Sequence, residues 1–124
     1  MLKYLAIGAG GFLGAIARYA LGSYIGTRYG VRFPYGTFAI NMSGCFLIGF
    51  VDALLARVTA SPYWRYLVPI GFIGAYTTFS AFEYETFRAV QDGQAAMGFL
   101  NVALSVIVGL FAVWAGMVAG RVFA

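Results

Sequence analysis

Side chains able to do acid–base or metal chemistry are few in this chain. It has no histidine, one cysteine (Cys45) and four acids, Asp52, Glu83, Glu85 and Asp92. Catalysis by proton transfer and most protein metal sites need such groups in close sets. A single cysteine also excludes an internal disulfide and any multi-cysteine cluster. What stands out instead is Gly71-Phe72-Ile73-Gly74-Ala75-Tyr76-Thr77-Thr78-Phe79-Ser80-Ala81-Phe82, in the middle of a long apolar segment. Glycine costs a helix interior roughly 1 kcal/mol relative to alanine, and threonine a smaller amount. A helix is expected to break here. In a bilayer, broken backbone persists only where protein or water satisfies its freed N–H and C=O groups. Phe79 and Phe82 follow at once, three apart, so a helix restarting there shows both rings on one face. A break at membrane depth followed by paired rings is the pattern of a transport site.

The elements that must position this stretch follow from composition. The 124 residues make one domain, 62% hydrophobic and 10% charged, where soluble proteins carry about 25% charged residues. Mean hydropathy is +0.85. The chain reads as an all-α integral membrane protein with four transmembrane helices, about 4–26, 35–55, 66–90 and 95–120, the third broken near its middle. A net charge of +4 without any basic run or stripe gives no reason to expect nucleic acid, and an enzyme is not expected.

In the first segment Arg18 is the only charge. Lys3, an apolar run and Ala15-Ile16-Ala17 could pass for a signal peptide, but apolar sequence continues past Arg18. Gly10 and Gly14, and Gly22 and Gly26, are spaced as grooves for a neighbouring helix. A basic loop is expected over Thr27–Arg32, with Pro34 opening the next helix. In the second segment Asn41, with Thr37 and Cys45 one turn to either side and Gly44 near it, forms a small polar strip. An asparagine in hydrocarbon usually bonds another helix; it could equally present its amide to a passing anion. Asp52 is placed near the membrane edge. Arg57 to Arg65 reads as the second loop, with Trp64 and Tyr66 as interface anchors. Pro69 falls early in the third segment, where it costs little. Glu85 and Arg88 are spaced to pair at a solvated helix end. After a short turn around Gln91–Gln94, the fourth segment carries no charge before Arg121. Asn101 and Ser105 share one face, as do Gly109, Gly116 and Gly120.

Four spans place both termini on one side, with Lys3, Arg57, Arg65 and Arg121; Arg18, Arg28, Arg32 and Arg88 fall on the other. So even a balance gives the positive-inside rule little to act on and permits insertion in both orientations. With no internal repeat in the chain, inverted symmetry has to come from a second copy.

Three blocks now carry a resemblance. They are Gly11-Phe12-Leu13-Gly14-Ala15-Ile16-Ala17-Arg18-Tyr19, Gly36-Thr37-Phe38-Ala39-Ile40-Asn41-Met42-Ser43-Gly44, and Gly71 through Phe82 continued by Glu83-Tyr84-Glu85. Together they resemble the Fluc/CrcB family of fluoride channels, and the resemblance as a whole covers all four segments. The resemblance implies an antiparallel, dual-topology homodimer in the cell membrane, inserted in both orientations, that exports fluoride through two pores. It implies Phe79 and Phe82 as pore rings, Asn41 as the pore amide and Ser80 as a pore-side hydroxyl. Backbone carbonyls of Gly74 and Thr77 from each copy would hold a structural sodium ion, and Arg18 would face a vestibule. Ala75 stands where the family usually has glycine, and Ala81 where it has a threonine. The first leaves carbonyl coordination intact; the second is expected to slow permeation.

The implied chemistry is coherent. Fluoride holds its water tightly, so a path must replace that water with donors, for which Asn41 and the hydroxyls of Ser80, Thr78 and Ser105 are suited. A phenyl ring is positive at its edge, and weak edge-on contacts let an ion leave as easily as it enters. Carbonyls exposed at a broken helix are cation ligands. A four-span proton-coupled drug exporter would need an acid in its first span, where there is none. A non-transporting scaffold would need neither the break nor the polar strip, and an intramembrane enzyme lacks a nucleophile–base pair.

Overall fold

The computed structural model describes residues 1–30, 32–57 and 61–123, and these are helical almost throughout. Helix α1 is Leu2–Tyr29, α2 is Tyr35–Arg57 and α5 is Ala95–Phe123. Each is long and apolar enough to cross a membrane; at 1.5 Å per residue they measure about 35–44 Å, against a hydrocarbon core of about 30 Å. The chain is an integral membrane protein of all-α class. Between α2 and α5 lie two shorter helices. The first, α3, covers residues 63–76, and the second, α4, is Phe79–Gln91. Thr77 and Thr78 between them are extended, with ψ of 154° and 111°. The expected break is present, at the threonines.

Helix α3 departs from expectation in its interior. Tyr66–Ile73 is wound as a π-helix with Pro69 inside it. Proline lacks the N–H that would reach back four residues, and its ring crowds the preceding turn. A wider turn accommodates both, so Pro69 reshapes this helix rather than merely starting it. Two boundaries also move. Helix α1 continues through Thr27 and Arg28 to Tyr29 and stops at Gly30, φ 74°, so the first half of the expected Thr27–Arg32 loop is helical. In the second loop, residues 58–60 lie outside the described residues, and α3 begins at Tyr63.

Packing assigns the halves of the broken segment to different neighbours. Helix α3 lies on α1, and α4 lies on α5. The first contact runs through Gly10 and Gly14, both buried, where an added Cβ would meet the backbone of Leu67 and Phe72. Gly26 has open space beside it, so the second glycine pair is used only at Gly22, which faces Gly36 and Ile40. Helix α2 meets α5 through Gly49, Gly116 and Gly120, again backbone against backbone, and the expected small face Gly109, Gly116, Gly120 is buried as one. Large apolar side chains such as Ile107, Leu110, Phe111 and Trp114 point outward from α5.

Candidate functional site

Asn41 holds the break together. Its Nδ2 donates to the Thr78 carbonyl at 3.1 Å, and its Oδ1 accepts from the Thr78 N–H at 2.8 Å. One side chain therefore satisfies both backbone groups of the residue at which the helix opens, as membrane depth demands. Of the two roles open to Asn41, inter-helix bonding is realised; the amide has two N–H donors, and Thr78 takes one. Thr78 then caps α4, its Oγ1 accepting from the Ala81 N–H at 3.2 Å and lying 3.4 Å from Ser80 Oγ. Gly44, one turn from Asn41, admits the Thr77 methyl where a Cβ would collide with it.

The same bonds strip donors from the end of α3. In an unbroken helix the Thr78 N–H would go to the Gly74 carbonyl and the Ala81 N–H to the Thr77 carbonyl. Both are diverted, to Asn41 and to Thr78 Oγ1. Gly74 and Thr77 are thus left with carbonyls free of helical partners. The Ala75 carbonyl between them accepts from Arg18 Nε at 3.1 Å, which places a guanidinium at the negative end of the α3 dipole. Thr77 closes the helix by directing both its N–H and its Oγ1 to the Ile73 carbonyl at 3.0 Å.

Beyond the break, the Phe79 and Phe82 rings lie 5.7 Å apart, tilted at 42°. They are neighbours, as their spacing predicts, but in different surroundings: Phe79 is 74% exposed in the single chain and Phe82 is 8% exposed. Ser80 is exposed beside Phe79. Ser105 belongs to a second group. Its Oγ donates to Asn101 Oδ1 at 3.4 Å, Asn101 Nδ2 donates to Thr86 Oγ1 at 2.9 Å, and Thr86 Oγ1 donates to the Phe82 carbonyl at 2.7 Å. The expected site residues Asn41, Thr78, Phe79, Ser80 and Phe82 are therefore gathered at one place, with Gly74, Thr77 and Arg18 on its α3 side. Ser105 reaches them through two intermediaries.

Glu85 is the correction. It is not paired with Arg88: the ion pair among the described residues is Arg65–Asp52, 3.6 Å apart and exposed. Glu85 turns inward, accepting from Thr37 Oγ1 at 2.8 Å, while its Oε2 is buried without a partner among the described residues. It borders a cavity of about 570 Å³ at one end of the bundle, lined also by Thr37, Asn101, Arg32 and Arg88. Thr37, Thr86 and Asn101 had no expected site role, and Glu85 was expected at a solvated helix end. For Glu85 and Asn101 a signal was available: ionisable or amide side chains within apolar spans are rarely idle.

Comparison with known proteins places the whole chain in a family. Residues 5–117 match the family model described as CrcB-like protein, Camphor Resistance (CrcB). The chain is 57% identical to a protein of Acidobacterium capsulatum over 97% of each chain. It is 50% identical to one of Solibacter usitatus, covering 97% of this chain and 99% of that one. It is 44% identical to one of Geotalea daltonii over 98% of each. All three relatives carry the name fluoride-specific ion channel FluC. Matched by the family model over residues 5–117 and by these relatives over nearly its full length, the chain belongs to the Fluc/CrcB family, a family of ion channels and not of enzymes.

Proposed function

We propose that this protein is a passive, fluoride-selective channel, working as an antiparallel homodimer with two pores. The observation that carries the reading is the capped break at Thr77–Thr78, with Phe79 and Phe82 directly behind it, in a chain whose full-length relatives are named fluoride-specific channels. Helices α3 and α4 together make the third of four crossings, beside those of α1, α2 and α5. The exposed ring of Phe79 and the hydroxyls of Ser80 and Thr78 line the path, the second amide hydrogen of Asn41 replaces one water of the ion, and Ser105 continues the polar lining. Partial charges at ring edges and hydroxyls hold the ion weakly enough for it to move on. The even division of Lys and Arg between the two sides supports insertion in both orientations in the cell membrane. Exposed apolar faces on α1 and α5 support contact with lipid and a second copy.

The resemblance also implies a sodium ion, and the residues fit one. Sodium is a hard cation that takes oxygen ligands, and the Gly74 and Thr77 carbonyls have lost their helical donors. Carbonyls from two copies would hold it between them. Bound there, it would offset the negative ends of the two α3 helices and join the copies.

The test is ion efflux from liposomes containing only the purified protein, with a potassium ionophore present to dissipate charge. Rapid fluoride loss with chloride retained is expected. Retention of fluoride by folded, dimeric protein would overturn the reading, and loss that depends on a proton gradient would favour an exporter.

A further inference from the structure

Two consecutive residues of α4 are bound to opposite neighbours, one turn past Phe82. Glu85 Oε1 accepts from Thr37 on α2, and Thr86 Oγ1 accepts from Asn101 on α5. The Thr86 hydroxyl passes its own proton back to the Phe82 carbonyl at 2.7 Å. Asn101 is 2% exposed, the most deeply buried polar side chain among the described residues, and its Oδ1 is engaged by Ser105. A threonine hydroxyl bonded to the carbonyl four residues back bends a helix locally. A donor arriving from another helix makes that bond stronger and fixes its direction.

From this geometry we infer that Thr86 and Asn101 are positioning residues for the Phe82 ring. The chain Asn101 amide, Thr86 hydroxyl, Phe82 carbonyl sets the rotation of α4 about its axis and hence the place of the ring beside Phe79. The inference rests on the channel reading for its effect on flux, but not for its effect on the ring. Gly98, one turn before Asn101 on α5, lies against the Thr86 backbone, where an added Cβ would meet the Thr86 carbonyl at 3.2 Å. Glycine there lets α5 come close enough for the amide to reach. The α4 helix is therefore held at its start by Asn41 through Thr78 and, two turns later, by Asn101 through Thr86, with Phe82 between the two.

The experiment compares Thr86→Val, which keeps shape and loses the hydroxyl, with Thr86→Ser, which keeps the hydroxyl, and adds Asn101→Leu and the Thr86→Val/Asn101→Leu pair. Phe82 is replaced by 4-fluorophenylalanine in each background, and its 19F resonance is recorded alongside liposome fluoride efflux. Thr86→Val and Asn101→Leu should each shift or split the resonance and cut efflux about tenfold, the equivalent of one buried hydrogen bond. The pair should do no worse than either alone, and Thr86→Ser should restore both readouts. An unchanged resonance in Thr86→Val, or losses that simply multiply in the pair, would overturn the inference. Should Thr86→Val not fold, Thr86→Ser against Asn101→Leu decides the matter by the same two readouts. If the parent protein moves no fluoride, the channel reading fails, and the resonance alone still decides whether the ring is held this way.

Discussion

Replacing Asn41 separates its duty at the break from any charge it lends the path. Asn41→Leu removes both bonds to Thr78, the 3.1 Å bond to its carbonyl and the 2.8 Å bond from its N–H. An unmet buried backbone group costs about 1–3 kcal/mol, so two unmet groups cost about 2–6 kcal/mol. Single inter-helix hydrogen bonds in membrane proteins average only about 0.6 kcal/mol, and Thr78 is half-buried, which puts the expected loss near the low end, about 2 kcal/mol. Asn41→Asp differs. As a carboxylate it keeps an acceptor for the Thr78 N–H but loses the donor to the Thr78 carbonyl, so it should cost about half as much, near 1 kcal/mol. In flux the order reverses, because the carboxylate repels an anion while leucine merely withholds a donor. The two variants should thus rank oppositely in thermal melting of the detergent-solubilised protein and in liposome fluoride efflux. Lowering the pH should help only Asn41→Asp, since a protonated carboxyl regains an O–H for the Thr78 carbonyl and loses its charge. Wild-type melting and efflux in Asn41→Leu would refute the capping argument, and the same rank order in both assays would refute the separation.

Other perturbations test neighbouring parts of the argument. Phe79→Ile should cut fluoride efflux strongly with little change in melting, because the ring is exposed in the single chain, whereas Phe82→Ile should lower both; normal efflux in both variants removes the rings from the path. Gly14→Ala forces a Cβ onto the Phe72 backbone and should cost about 1–3 kcal/mol, while Gly26→Ala has open space and should be neutral or slightly stabilising by melting. Exchanging sodium for N-methylglucamine throughout purification should dissociate the dimer on gel filtration, and a dimer unaffected by that exchange would count against carbonyl ligation by Gly74 and Thr77.

What was legible beforehand was local. Glycines and threonines near the centre of an apolar run placed the break within the Gly71–Phe82 stretch, and a spacing of three brought Phe79 and Phe82 together. The Gly109, Gly116, Gly120 face was readable because helical periodicity alone defines it. What was not legible depended on register between segments. Composition left Asn41 with two roles, because only the approach of α2 to α3 brings its amide to a backbone group 37 positions away. Glu85 was read as solvated because it lies near a span end, yet α4 leans on α5 and turns that face toward Thr37. Pro69 looked harmless near a helix start, but α3 begins at Tyr63, which leaves the ring inside the helix and opens a π turn around it.

The break gives one short stretch groups that suit ions of opposite sign. Every helix end carries unpaired groups, carbonyls at one terminus and amides at the other. By opening at Thr77–Thr78 the chain places both kinds within a few residues, in the middle of a crossing. On the α3 side, the Gly74 and Thr77 carbonyls have lost their donors, and Arg18 already tempers that end by bonding Ala75. On the α4 side, Thr78 Oγ1 occupies the Ala81 N–H alone, so the first turn keeps a positive character beside the Phe79 ring. In the proposed dimer, a cation at the first end and an anion passing the second would each reduce the cost of holding the other at low dielectric. The arrangement needs no buried charged side chain in the path. It depends on Asn41, which makes an opened helix tolerable at that depth.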